Sequence, residues 1–116
     1  MKVFISQPIT GLTNEEILKV RNETITYLKD SFVFGVLPNE IEFVDSFIED
    51  SNEKPLYLLG KALEKLSTAD VCIFVDGWKD SRGCRIEHEC CVQYGIPKIY
   101  FTSVNWGVWL KSKKHT

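Results

Sequence analysis

A chain of 116 residues with 44% hydrophobic and 26% charged residues is sized for one soluble domain, and at that length roughly two-thirds of the surface of the open chain is buried on folding. Net charge is −2, and apart from Lys111, Lys113 and Lys114 the basic residues are scattered, which argues against the basic face that a nucleic-acid groove needs. No apolar run is long enough to span a bilayer, and the first residues read as a strand rather than a signal peptide, so a cytoplasmic protein with neither a membrane nor a nucleic-acid partner is expected.

In chain order, Val3-Phe4-Ile5 is a short apolar run that predicts a buried first strand, followed by a loop from Ser6 to Thr13. Thr13-Asn14-Glu15-Glu16 is a capping-box pattern, a hydroxyl cap with a Glu three residues on. Ile17, Val20, Thr24, Ile25 and Leu28 recur at helical spacing, predicting a helix over 14–30. Phe32 to Leu37 reads as a second strand stopped by Pro38, and the acidic stretch from Ile41 to Lys54 as a long loop with a helical turn. Pro55 suits the first helical position, and Leu56, Leu59, Leu63 and Leu66 mark an amphipathic helix to about Thr68. Val71 to Val75 is continuously apolar, as in a parallel strand buried on both faces. After the loop Asp76 to Asp80, a third helix is expected from about Arg82 to Tyr94, closed by Gly95, and then a last strand from Pro97 to Phe101.

Strands alternating with helices predict an α/β fold: a doubly wound, flavodoxin- or Rossmann-like parallel sheet of four to five strands flanked by helices. Residues 1–102 make up that domain. Residues 103–116 are a tail whose Trp106 and Trp109 pack either on the domain or on a neighbouring subunit.

Four cysteines without a C-x-x-C pair, in a chain that shows no sign of secretion, read as small hydrophobes rather than disulfides. Cys84, His88 and Cys91 share a helix face at i, i+4 and i+7, but a helical face rarely closes a zinc site without further ligands. No metal and no cofactor are expected.

In an open parallel sheet, ligands sit beyond the carboxyl ends of the strands. Two loops belong there: Ser6, Gln7, Pro8, Ile9, Thr10 and Gly11 after the first strand, and Asp76, Gly77 and Trp78 through Ser81 after the third. Ser81-Arg82-Gly83 opens a helix, where free backbone N–H groups and the dipole favour an anion. Ser81 adds a hydroxyl, Gly83 allows close approach of the backbone, Arg82 or Arg85 can neutralise a phosphate, and Glu87 lies one turn further along. The same residues also serve as an ordinary helix opening, with Ser81 as cap and Glu87 paired to Arg82 or Lys79 on a solvated face.

Ala69-Asp70 before an apolar strand, Gly83 four residues before Glu87, and Tyr94-Gly95-Ile96-Pro97 about ten residues later resemble the nucleoside 2-deoxyribosyltransferase superfamily, and Met1 to Gly11 looks like the first strand and loop of its small phage and bacterial members. The resemblance implies that Glu87 is a nucleophile on the anomeric carbon of a nucleoside or nucleotide, forming a covalent glycosyl intermediate as in a retaining glycosidase. Ser81 matches the nucleotide-hydrolase branch, in which that Ser contacts a 5′-phosphate. It also implies a homo-oligomer, a dimer or tetramer. Phe4 stands where family enzymes often carry a Tyr, and Lys61-Ala62 where they carry an Asp near the base.

Two functions follow. One is cleavage or transfer of the N-glycosidic bond of a (deoxy)nucleotide by Glu87. The alternative is a non-catalytic phage binder, a sponge that sequesters a nucleotide immune signal such as a cyclic ADP-ribose isomer. A plain interaction domain built on Trp78, Trp106 and Trp109 is the third reading.

Overall fold

The computed structural model describes residues 1–30, 34–45 and 52–102. Four strands and three helices alternate along them: β1 (Lys2–Ser6), α1 (Asn14–Asp30), β2 (Glu42–Asp45), α2 (Pro55–Leu66), β3 (Val71–Val75), α3 (Arg82–Tyr94) and β4 (Lys98–Phe101), with single 3₁₀ turns at Pro38–Glu40 and Trp78–Asp80. The sheet is all parallel in the order β2-β1-β3-β4. This is the α/β arrangement that the alternation of elements predicts.

Local chemistry fixes each helix. The capping box forms as read: the Glu16 backbone N–H donates to Thr13 Oγ1 at 3.1 Å, and the Thr13 N–H donates to Glu16 Oε1 at 2.9 Å. Pro55 occupies the first turn of α2. Ser81 caps α3, and Gly95 closes it at φ 69°, a left-handed conformation that glycine adopts without a Cβ penalty. No helix among the described residues is long and apolar enough to cross a membrane.

Alternation along the strands splits the core in two. Val3, Ile5, Val71, Ile73 and Val75 pack with Val20 and Leu28 of α1. Phe4, Cys72 and Phe74 pack on the other face with Ala62 and Leu66 of α2 and Cys91 of α3. Of the predicted leucine stripe on α2, Leu66 is buried while Leu56 is exposed.

The second strand is not where the apolar run places it. Phe34 to Leu37 form a turn, with Gly35 at φ 68°; Phe32 and Val33 lie outside the described residues. β2 is instead Glu42–Asp45, inside the stretch read as a loop, and it pairs from Lys2↔Glu42 to Ile5↔Asp45. An edge strand needs few apolar residues. Phe43 packs on one core and Val44 on the other, and the flanking acids hide this two-residue signal. The tail 103–116 and its two tryptophans also lie outside the described residues.

Candidate functional site

β1 hands on to β2 on one side of the sheet and β3 to β4 on the other, so the switch point of the topology lies between the carboxyl ends of β1 and β3. A cleft of about 120 Å³ opens there. The loop after β1 supplies Gln7, Ile9 and Thr10, the start of α2 supplies Pro55, Leu58, Leu59 and Ala62, and the first turns of α3 supply Ser81, Gly83, Cys84 and Glu87.

Glu87 projects from α3 into the protein and is only 2% exposed, which overturns its reading as a residue of a solvated face. Ser6, the last residue of β1, donates from Oγ to Glu87 Oε1 at 2.6 Å. Burial pushes the Glu87 carboxyl up to about 7, with the Ser6 hydrogen bond pulling it partly back. The group is therefore near half-ionised at neutral pH. Burial also pushes the Cys84 thiol up to about 11, against hydrogen bonds from Ser6 and Ser81 that favour its ionised form, and the nearby Glu87 charge adds to the upward push.

Ser81 caps the helix and stands at the cleft. Its Oγ accepts from the Cys84 N–H at 3.4 Å as the helix cap, and it also lines the cleft. A Cβ built on Gly83 meets no atom within 4 Å, so the glycine leaves open space at the cleft wall. The first backbone N–H groups of α3 have no carbonyl one turn back to bond.

Gln7 is buried, 3% exposed. Its Nε2 donates to the Ile17 carbonyl at 3.1 Å, while its Oε1 is closed to solvent and finds no partner.

The predicted site residues do not all meet. Pro8 and Gly11 shape the loop without lining the cleft, and Arg82 is exposed. Asp76, Gly77 and Trp78 line a different, wider depression of about 640 Å³ with Lys79, His88 and Tyr100, which shares no residue with the cleft. There Trp78 stacks on His88 at 4.2 Å and 19°, His88 Nε2 lies 2.7 Å from Tyr100 Oη, and Trp78 leans on Phe74 at 5.3 Å. Burial and the Lys98 charge lower the His88 pKa.

Residues 1–100 match the family described as Domain of unknown function (DUF4406). The chain belongs to the DUF4406 family. No curated protein and no solved structure matches it. In this DUF4406 chain, the motifs of the Ala69-Asp70 and Gly95-Ile96-Pro97 type prove structural. Asp70 Oδ2 accepts from the Lys2 N–H at 2.8 Å at the far end of β1, and the Pro97 carbonyl accepts from the Cys72 N–H at 2.9 Å.

The four cysteines are free. Cys72 and Cys91 sit in the core, where their mutual hydrogen bond and burial push the Cys72 thiol up. Among the described residues no group of three His, Cys, Asp or Glu is placed to hold a metal ion.

The wall from Pro55 to Ala62 escaped the sequence reading. The signal was available: every helix of a β-α-β unit starts at the carboxyl end of the sheet. The start of α2, with its unassigned Leu58 and Ala62, therefore belonged beside the loop after β1.

Proposed function

We propose that the cleft between the β1 loop, α2 and α3 binds a nucleotide and that Glu87 acts on the anomeric carbon of its sugar. The observation that carries this reading is a buried carboxyl held by Ser6 at the switch point of an open parallel sheet, with the start of α3 beside it for an anionic group. A carboxyl with a pKa near neutrality in a largely apolar cleft is a common mark of a functional site. In its ionised form, Glu87 attacks the anomeric carbon and the glycosidic C–N bond breaks, with the electron pair leaving on the base. Water then attacks the same carbon, releasing the sugar and restoring the carboxylate. The departing base takes its proton from water, because Glu87 is the one carboxylate among the described residues of the cleft wall.

That last observation favours the second reading, a binder that holds its ligand intact. Ala62, where the resemblance leads one to expect an acid on the α2 segment, is buried on the wall and offers no proton, and Phe4 lies in the core without a hydroxyl.

The test is to incubate wild type and Glu87→Ala with ribonucleotides, deoxynucleotides and cyclic ADP-ribose isomers, then to chromatograph the free and heat-released fractions. Free base from wild type that vanishes in Glu87→Ala supports glycoside cleavage. An intact ligand recovered only on heating supports the binder. No depletion and no product with any ligand refutes both.

A further inference from the structure

Gln7 carries an unmet hydrogen-bonding demand at the cleft. Its amide cannot be turned round, because the Ile17 carbonyl that it faces at 3.1 Å only accepts, and so must meet the –NH₂ end. Oε1 is thereby directed elsewhere, buried and without a donor. Native proteins rarely leave a side-chain oxygen in that state. Gln7 also lines the cleft with Ile9 and Thr10, so a donor carried by a ligand in the cleft is the natural partner.

The rest of the wall defines that donor. Ile9, Pro55, Leu58 and Leu59 give the wall aliphatic surface, and Gln7, Thr10, Ser81 and Glu87 give it polar groups. A ring with C–H faces and hydroxyl groups matches this mixture. A flat base does not: among the described residues no aromatic side chain lines the cleft, and the Trp78–His88 stack belongs to the other depression. About 120 Å³ is also well below the roughly 300 Å³ at which pockets begin to hold a whole drug-sized ligand. It suits a sugar, with base and phosphate reaching out.

We infer that Gln7 Oε1 accepts a hydrogen bond from a ring hydroxyl of the ligand's pentose, so that Gln7 selects sugars that keep the hydroxyl. The inference rests on the nucleotide reading and adds to it the part of the ligand that the cleft holds.

Titration calorimetry tests it with the four ribonucleoside 5′-monophosphates, their 2′-deoxy and 3′-deoxy forms, ribose 5-phosphate and 2-deoxyribose 5-phosphate. With wild type, one of the two deoxy series binds about tenfold more weakly than its ribo parent, the size of one neutral hydrogen bond. In Gln7→Met, of similar length but with no amide oxygen, that difference disappears. Should Gln7→Met fail to fold, Gln7→Leu, which also lacks an amide oxygen, takes its place and loses the same difference. Equal binding of all three sugar forms by wild type, or a preference that survives in Gln7→Met, overturns the assignment. Binding of ribose 5-phosphate over its 2-deoxy form, with no binding of any nucleotide, overturns the nucleotide reading and leaves the role of Gln7 standing. No binding of any of these ligands overturns both.

Discussion

Replacing Glu87 with Gln removes a charge the fold pays to bury, and the pH dependence of that relief can be worked out beforehand. A carboxyl lifted from an ordinary 4.5 to about 7 makes its ionised form cost about 3 kcal/mol more in the folded chain than in the open one. The native state binds the proton more tightly, so this contribution is fully present below pH 4.5 and lost as pH rises through 7. Glu87→Gln keeps an oxygen to accept from Ser6 Oγ, whose bond is 2.6 Å in the wild type, and it does not titrate. Equilibrium unfolding in guanidinium at steps from pH 4.5 to 8.5, with both proteins measured at each pH, isolates the effect because the other ionisable groups are shared. The two stabilities should lie close together at the acid end, and the variant should gain by about 3 kcal/mol at the alkaline end. A difference that stays constant with pH, or one that grows towards acid, refutes the reasoning, since either requires a carboxyl that folding leaves at or below its ordinary pKa.

Further outcomes follow from the same geometry. Ser6→Ala removes the donor to Glu87 and raises the carboxyl pKa further, because that hydrogen bond is what lowers it; the pH midpoint of the Glu87→Gln comparison, repeated in this background, should move up, with an overall stability loss of about 1–3 kcal/mol. Gly83→Ala places a methyl group in open space on a helical residue, so thermal unfolding should show stability kept or slightly raised, while ligand retention falls sharply. The His88 ring should titrate below 6.5 by NMR, and Lys98→Ala should raise its midpoint, since Lys98 is one of the charges holding it down.

The parts of this fold that could be read from the sequence are those written in local chemistry. Thr13 and Glu16 announce α1, Ser81 and Gly95 bracket α3, and the unbroken apolar run Val71 to Val75 marks a central strand. β2 was lost because at an edge a strand needs only Phe43 and Val44, whereas the stronger run ending at Leu37 is interrupted by Gly35 in a left-handed turn. The burial of Glu87 was out of reach for another reason. Its partner Ser6 lies 81 residues away in the chain, and helical spacing alone fits a solvated Glu equally well. The division of the expected site in two has a local cause that sequence shows only in part. Gly77 at φ 92° starts a 3₁₀ turn that carries Trp78 towards Phe74, His88 and Tyr100, on the β4 side of α3.

That division bears on how much chemistry the cleft can do. A retaining glycosidase works with two carboxyl groups, one attacking while the other protonates the leaving group. Asp76, a carboxylate that the sequence places in a loop at the same end of the sheet, lies with Trp78 in the wider depression. Glu87 alone, half-ionised near neutral pH, can act as nucleophile in one molecule or offer a proton in another, but not both in the same encounter. Turnover should therefore depend on how readily the base leaves without protein help. Nucleotides with a base already cationic at the glycosidic nitrogen are the best candidates for cleavage, since their base departs neutral. Comparing such a substrate with an ordinary purine nucleotide separates the two readings: cleavage confined to the cationic base marks a one-carboxylate enzyme, and stable retention of both marks a binder.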